Sequence, residues 1–308
     1  MKNAVIFITT IIVVFAAAAM HVPARAAEAS LGITGMYDWW QPAFLDLHYG
    51  DATRLLGTKI KHDEDGSFML GPALKVWFGT WRMDLTALFG VSKNEFVYSS
   101  LNWDLTVWNI VGTPPDPIRG YITIGDSTAR RYDVDLKFAK SIHRFVNFNI
   151  GGRFNYAKGD GSLYRVYIPL DFNFGEDDYR LWQVGPVVGI GFNFEIKNFT
   201  LYFDVNGLVN LGDNYLERKL AFPRLYPYLI PFKYDTYFLG FGFDTDAGVE
   251  YYIEPAHLTV GAGFRWVGVV CASVDDDSSM LDLSYRDHWM DGEWDHFYGI
   301  TFNVSYTF

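Results

Sequence analysis

The chain has 308 residues, which suits one large domain or two small ones, and its 36 acidic against 25 basic residues give a net charge of −11. This balance argues against nucleic acid or another polyanion as a partner. The single cysteine, Cys271, excludes an intramolecular disulfide. Aromatic residues make up 18% of the chain, 29 residues are glycine, and no helical period persists after residue 27.

The first 26 residues have the pattern of a secretory signal peptide. Lys2 supplies a positive start, Ala4 to Met20 form an apolar core, and a cleavage site between small residues ends at Ala26. A retained membrane helix is the alternative, because the apolar run is nearly long enough to span a bilayer. The cleavage site favours removal, so we expect residues 1–26 to be a signal peptide and residues 27–308 to be the mature domain.

Ten segments of the mature chain alternate apolar and polar side chains with a period of two, which predicts β-strands. The fourth is the clearest, since Tyr132 and Leu136 fall on one face while Asp133 and Lys137 fall on the other. In chain order the predicted strands are Leu31–Trp40, Phe68–Phe78, Trp81–Val91, Ala129–Ala139, Phe145–Tyr156, Leu181–Phe194, Phe199–Leu211, Tyr237–Tyr252, Leu258–Gly268 and Tyr298–Phe308. Each strand therefore has one lipid-like face and one polar face.

The connections between these strands alternate between very short turns and long polar segments. Tight periplasmic turns and long extracellular loops are typical of transmembrane barrels, and a closed barrel satisfies every backbone group within a bilayer. We therefore predict an all-β fold, a transmembrane antiparallel up-and-down β-barrel of ten strands. Twelve strands are the alternative, because Phe96–Asn109 and Leu163–Phe174 also look extended and would either prolong hairpins or add a pair. A soluble β-sandwich is disfavoured, since the apolar faces carry almost no charge.

Aromatic residues cluster near both ends of the predicted strands, as the two interfacial girdles of a membrane barrel require. The predicted girdle beside the short turns comprises Trp81, Phe145, Phe194, Phe199, Tyr251 and Phe308. The predicted girdle beside the long loops comprises Trp39, Trp40, Trp182, Tyr237 and Trp266.

The last predicted strand places six apolar side chains on one face and finishes on an aromatic residue. These residues are Tyr298, Ile300, Phe302, Val304, Tyr306 and Phe308. The strand resembles the C-terminal targeting strand of bacterial outer-membrane β-barrel proteins. The resemblance implies recognition by the barrel-assembly machinery, contact with outer-membrane lipid and a location in the outer membrane of a Gram-negative cell, and we expect a monomer.

The polar faces carry charges of both signs, which we expect to face the lumen. The candidates are Asp38, Lys75, Arg82, Asp84, Arg131, Asp133, Asp135, Lys137, Arg153, Asp204, Asp244, Asp246, Glu250 and Arg265. Because unpaired charges in a narrow lumen cost several kcal/mol each, the sequence predicts mutual neutralisation and a plugged barrel. The alternative is a narrow water-filled path where glycines face inward, namely Gly185, Gly189, Gly191, Gly240, Gly242, Gly248, Gly261 and Gly263.

Ten strands with acidic loops are also similar in layout to the omptin surface proteases, which hold an Asp pair and an Asp-His pair at the extracellular rim. The ingredients here are His62 to Asp65 in the first loop and the pairs Asp287-His288 and Asp295-His296 in the last loop. Adjacent Asp-His pairs do not have that family's spacing, which favours a solvated acidic loop that holds Ca²⁺ at most loosely. We therefore expect no enzymatic activity, cofactor or tight metal site, with a porin-like channel or an omptin-like protease as alternatives.

One further loop is rich in aromatics and prolines. Residues 221–234 combine both, and such groups bind partners at low entropic cost. This loop is predicted either to bind an extracellular partner or to cover the barrel mouth.

Overall fold

The computed structural model describes residues 27–41, 61–64, 66–102, 119–168, 171–222, 226–273 and 293–308. The predicted signal peptide, the pair Asp287-His288 and the rest of the last loop up to residue 292 lie outside these ranges. Among the described residues, no helix is long and apolar enough to span a membrane.

The described residues form eleven β-strands and one 3₁₀ turn, Glu254–Ala256. The strands are β1 (Ala27–Gln41), β2 (Lys61–Glu64), β3 (Ser67–Phe78), β4 (Trp81–Asn102), β5 (Arg119–His143), β6 (Val146–Ile168), β7 (Asp171–Ile196), β8 (Phe199–Phe222), β9 (Tyr226–Ile253), β10 (Leu258–Ser273) and β11 (Glu293–Thr307).

Ten of these strands close into an antiparallel barrel, as the alternating pattern predicts. Around the ring the order is β1, β3, β4 and then β5 to β11, and β11 pairs with β1 to complete the circle. The short β2 pairs only with residues 94–97 of β4 and is not a member of the ring. Among the described strands the barrel therefore has ten strands, not twelve.

Strands β4 to β9 are much longer than predicted, at 22 to 28 residues, whereas β1, β3, β10 and β11 have 12 to 16. About ten residues cross a bilayer at a tilt, so the long strands continue beyond it as paired hairpins. The extended segments from Phe96 and from Leu163 prolong these hairpins as far as the structure describes them. The predicted loop 221–234 is also largely strand, since its first two residues end β8 and Tyr226 begins β9.

Four tight connections lie at one end of the barrel, between β3 and β4, β5 and β6, β7 and β8, and β9 and β10. Three of them place a residue in the left-handed region, with φ of 65° at Gly79, 55° at Lys197 and 50° at His257. Left-handed turn residues match the twist of paired strands, so these hairpins stay tight.

The outward face is apolar over the bilayer-crossing part of the barrel, and large side chains stand exposed there. Examples are Leu31, Ile33, Phe203, Val249 and Val304, which are 37% to 57% exposed. On β11 the side chains of Ile300, Phe302, Val304 and Tyr306 are exposed and Tyr298 is half-buried, and Phe308, which follows the strand, is also exposed. The ring of Phe302 lies over Gly35 of β1, where a Cβ atom would come within 2.1 Å of it.

One predicted girdle residue faces the wrong way. Trp39 faces outward and stacks on Tyr298 with ring centroids 5.5 Å apart, but Trp40 is only 2% exposed and lies inside the barrel. Consecutive strand residues point to opposite faces, so the two tryptophans cannot share one girdle. The prediction for Trp40 was therefore wrong.

Candidate functional site

The lumen is the candidate functional site, and a layer of buried ion pairs crosses it. We call this set the ion-pair layer; it comprises Asp38, Arg131, Asp133, Asp135, Arg153, Asp244 and Arg265. Each of these residues is no more than 6% exposed, although all seven are charged residue types. Inward positions alternate with lipid-facing positions on every strand, which places these charges in the barrel interior.

Arg265 of β10 connects opposite walls of the barrel. Its Nε and Nη2 donate hydrogen bonds to the two carboxylate oxygens of Asp244 at 3.0 and 2.8 Å. The same Nη2 lies 2.7 Å from Oδ2 of Asp135 on β5. Because β5 and β10 are five positions apart in a ring of ten strands, this contact spans the full width of the lumen.

A second bidentate pair stands beside it. Arg153 of β6 donates to both carboxylate oxygens of Asp133, at 3.2 and 2.6 Å, and its Nε lies 3.8 Å from Asp135. Fork-to-carboxylate pairs of this kind are the strong, geometrically specific ion pairs of proteins. Asp135 therefore lies between two guanidinium groups, one from each side of the lumen.

Arg131 and Asp38 form a fully buried pair between β5 and β1. Nη1 of Arg131 donates to Oδ2 of Asp38 at 2.5 Å, both side chains have no exposure, and Ser67 donates a hydrogen bond to the other Asp38 oxygen. The guanidinium carbon lies 4.3 Å from the ring centroid of Trp40, so an aromatic face covers part of the cation.

Phe297 of β11 lies at the centre of the layer. The guanidinium carbons of Arg153, Arg131 and Arg265 lie 4.8, 5.1 and 5.9 Å from its ring centroid. The ring is 4% exposed. A single aromatic side chain thus contacts three of the buried cations and fills the space between them.

Apolar and amide side chains fill the barrel above this layer. Trp40 donates through Nε1 to Asp295 at 2.9 Å, and Gln183 of β7 donates to the other oxygen of Asp295. The apolar members are Tyr179, Leu181, Leu216, Phe238, Val267, Val269 and Cys271, each no more than 3% exposed. A cavity of only about 10 Å³ lies between this upper filling and the ion-pair layer.

Below the layer the lumen contains a larger cavity. A cavity of about 150 Å³ lies among charged and hydroxyl side chains near the short turns, including Lys75, Arg82, Lys137, Asp204 and Glu250. This volume has room for several water molecules. We call this part the lower lumen.

Ion pairs in the lower lumen are partly exposed. Nζ of Lys75 lies 2.6 Å from Glu250, with side chains 26% and 17% exposed, and Asn303 also donates to Glu250 at 2.8 Å. Nη2 of Arg82 lies 2.9 Å from Asp84 on the same strand. These pairs face the cavity and are partly exposed, unlike those above them.

The remaining lower-lumen charges surround Lys137. Its Nζ lies 3.6 Å from Asp244, which belongs to the ion-pair layer. Asp204 and Asp246 are direct cross-strand neighbours on β8 and β9, and all three residues line the cavity. Arg82 and Lys137 thus lie against Asp84 and Asp244, whereas Asp133 and Asp135 are contacted by Arg153 and Arg265.

The inward glycines do not leave an empty path along the wall. A Cβ atom at Gly248 or Gly263 would come within 2.6 Å of the Tyr202 hydroxyl. Tyr202 therefore occupies the space that these glycines leave, and Asn206 occupies the space beside Gly189 in the same manner.

Asp295 and His296, which were compared with the omptin rim residues, do not lie together, because consecutive residues of β11 point to opposite faces. Asp295 is buried inside the barrel, whereas His296 follows it on the outward face and is half-buried. Glu64 and its neighbours in β2 pair with β4 outside the ring. In the described part of the chain, no group of three or more His, Cys, Asp or Glu side chains is arranged to hold a metal ion.

One carboxyl group above the apolar band has an altered proton affinity. Asp213 of β8 accepts a hydrogen bond from Trp182 Nε1 at 3.0 Å and lies 3.6 Å from Arg180. Burial and the neighbouring carboxyl of Asp235 raise the pKa of Asp213 to about 6.

Sequence reasoning missed the neutral members of this site. Phe297, Trp40 and Gln183 fill the lumen. Phe297 lies just before the predicted last strand, Trp40 was assigned to an outward-facing girdle, and only charged residues were predicted to fill the lumen. Period-two alternation from Ile300 back along β11 places residue 297 inward, which is the signal that identifies it.

Known proteins are similar to this chain in fold and not in sequence. Neither a protein-family model nor the sequence of a curated protein matches this chain. Among solved structures, the outer membrane protease OmpT from Escherichia coli superposes with a TM-score of 0.53 at 12% identity, over 92% of this chain and 97% of that chain.

Two other solved structures are far less similar. The outer-membrane expressed OmpT of Vibrio cholerae gives a TM-score of 0.18 at 7% identity, over 93% of this chain and 99% of that chain. The Ralstonia pickettii toluene transporter TbuX gives 0.17 at 8% identity, over 92% and 90%. Such low scores carry no argument about fold.

The closed ring of strands and the Escherichia coli superposition define the class of protein: a ten-stranded β-barrel of the outer-membrane type.

Proposed function

We propose that this protein is an integral outer-membrane barrel whose lumen is closed by ion pairs and conducts no solute. The observation that carries the proposal is the Asp135–Arg265 contact of 2.7 Å between opposite walls. The ring centroid of Phe297 lies 4.8 to 5.9 Å from the guanidinium carbons of Arg131, Arg153 and Arg265, and the ring fills space between them.

We also propose where the protein is located and which residues form the mature chain. The chain resides in the outer membrane as a monomer, is delivered as residues 27–308 and is assembled through β11. The apolar outward face supports contact with lipid, and the exposed aromatic side chains of β11 support recognition during assembly. Mass analysis of the outer-membrane fraction tests this, and Met1 retained on the protein found there would contradict it.

Conductance in planar bilayers tests the closed lumen. The refolded protein is expected to show no steady current over a range of voltages, because ions would have to cross a desolvated layer. A steady, concentration-dependent current from the parent protein would overturn the proposal in favour of a narrow channel.

We further propose that the barrel is not an enzyme. The support comes from one pair of residues. Asp295 accepts hydrogen bonds from Trp40 and Gln183 inside the lumen, and His296 faces away from the lumen. Incubation of folded and heat-denatured protein with a mixed peptide library is expected to give identical products. Cleavage by the folded sample alone would support a surface protease instead.

A further inference from the structure

The charges inside the barrel do not balance. Among the described residues, the ion-pair layer and the lining of the lower-lumen cavity together contain eight acids and six bases. Six of these acids lie at ion-pair distance from a base, namely Asp38, Asp84, Asp133, Asp135, Asp244 and Glu250. The other two, Asp204 and Asp246, have no Lys or Arg nitrogen at that distance in the part of the chain that the structure describes. These two acids therefore account for the whole excess of negative charge.

Asp204 and Asp246 lie at one place on the cavity wall. They are directly opposite each other on β8 and β9, and both line the cavity. Like charges at directly opposite strand positions repel one another, and a carboxylate in a narrow lumen is poorly hydrated. Lys137 lines the same cavity, but its Nζ lies 3.6 Å from Asp244 of the ion-pair layer. A positive group from outside the chain would therefore compensate both acids.

Buried oxygen atoms around the same cavity lack hydrogen-bond partners. Within the described ranges they are Oδ1 of Asp84, Asp135 and Asp246 and the side-chain oxygen of Asn303. Asp135 is only 6% exposed, so bulk water does not replace its missing partner. All four atoms are acceptors, because ionised carboxylates and amide oxygens carry no proton. The cavity therefore suits a ligand that brings N–H donors together with positive charge.

We propose that the lower lumen binds the primary ammonium group of a small amine. Asp204 and Asp246 compensate its charge, and its three N–H donors reach acceptor oxygens on different strands. A metal ion suits the site less well, since no group of three or more His, Cys, Asp or Glu side chains in the described ranges is arranged to hold one. Tyr202 lines the same cavity and offers an aromatic surface to the rest of the ligand.

The position of the cavity defines the route and the size of the ligand. It lies on the short-turn side of the ion-pair layer, and in an outer-membrane barrel the short turns face the periplasm. The amine therefore enters from the periplasmic end. A cavity of about 150 Å³ has room for a ligand the size of a few water molecules, which limits the ligand to a short amine. Binding at this site does not depend on whether the layer above it conducts.

Calorimetric titration of the refolded protein in a nonionic detergent tests the proposal. Propylammonium chloride is the probe, and tetramethylammonium chloride and sodium chloride at the same ionic strength are the comparisons. Propylammonium is expected to bind roughly tenfold more tightly than either, because it alone combines the charge with N–H donors. Equal binding of all three cations would overturn the proposal, since charge alone would then explain it. Absence of propylammonium binding would also overturn it, because the two acids would then be compensated in another way.

A second pair of opposed aspartates supplies a matched control. Asp204→Asn with Asp246→Asn is expected to weaken propylammonium binding by roughly tenfold, and Asp246→Asn alone should weaken it in the same direction. Asp160 and Asp178 are also directly opposite each other, on β6 and β7, but both are exposed. Their change to Asn removes the same charge and should leave binding at the parent level. Equal loss in this control, or unchanged binding by the Asp204 and Asp246 variant, would overturn the proposal. Folding of every variant is checked by its heat-dependent gel mobility.

Discussion

The ion-pair layer and the lower lumen contain the same residue types and differ in how much water reaches them. Arg131 and Asp38 have no exposure, whereas Lys75 and Glu250 are 26% and 17% exposed beside a cavity of about 150 Å³. Removal of one partner from a buried pair leaves an uncompensated charge in a poorly hydrated place, whereas water replaces a missing partner near a cavity. Ion pairs of opposite charge therefore differ in how much they contribute to stability along one barrel.

The largest expected effect follows removal of two acids from the ion-pair layer. Changing Asp133 and Asp135 to Ala leaves Arg153 with no acid in contact and removes one of the two acids on Arg265, at a cost on the order of 3 to 5 kcal/mol of unfolding free energy. The melting temperature of the folded protein in detergent should fall by a large amount. Melting that matches the parent would mean that water already reaches these acids, and the two regions would not differ.

A similar but smaller loss is expected when the ring at the centre of the layer is removed. Phe297→Ala should cost about 3 kcal/mol, because a buried aromatic side chain is deleted and the three guanidinium groups lose its cover. The same change should produce current in planar bilayers, since it opens the layer. Phe302→Ala on the lipid face of the same strand is the control and should not conduct.

Asp213 lies outside the lumen, and its carboxyl group makes stability depend on pH independently of both regions. Because the folded-state pKa of Asp213 is raised to about 6, the native state binds more protons than the unfolded chain between about pH 4 and pH 6, and stability falls as pH rises through that window. At about 1.4 kcal/mol per pKa unit the effect is at most about 3 kcal/mol. Melting temperatures of the parent and Asp213→Asn should converge at low pH and separate above pH 6, with the variant more stable; parallel curves would contradict this.

The smallest effect is expected in the lower lumen. Lys75→Ala should cost less than about 1 kcal/mol, because Glu250 keeps its hydrogen bond from Asn303 and gains water from the cavity. Thermal melting and chemical denaturation of this variant should nearly overlay the parent. A loss as large as that of the Asp133 and Asp135 variant would show that the cavity is dry.

The sequence was sufficient to predict the ring of ten strands, because the alternation of lipid-facing and lumen-facing residues is imposed by the bilayer. The ends of β4 to β9 were not predictable in this way. Beyond the bilayer both faces of a strand are polar, so the period-two signal fades while backbone pairing continues.

Partners across the lumen could not be predicted either. Whether Asp135 contacts Arg265 or Lys137 depends on the tilt and stagger of the strands in the closed barrel. Neither quantity can be predicted from the sequence of a single strand. Trp40 was misassigned for a different reason: aromatic content was given more weight than the alternation that already placed residue 40 inward.

The closure of the barrel between β1 and β11 also has a consequence for the order of folding. These strands join Ser30 to Thr307 and Leu31 to Tyr306, so the contacts that complete the ring are among the most distant in sequence. The ion-pair layer is completed only when these strands meet, because Asp38 lies on β1 and the ring of Phe297, which contacts three of its arginines, lies on β11. Pairs between neighbouring strands, such as Arg153 with Asp133, do not depend on this step and face water in an open, partly assembled sheet. Because the contacts that close the ring are so distant in sequence, we expect ring closure to be the slow step, and it removes these pairs from water.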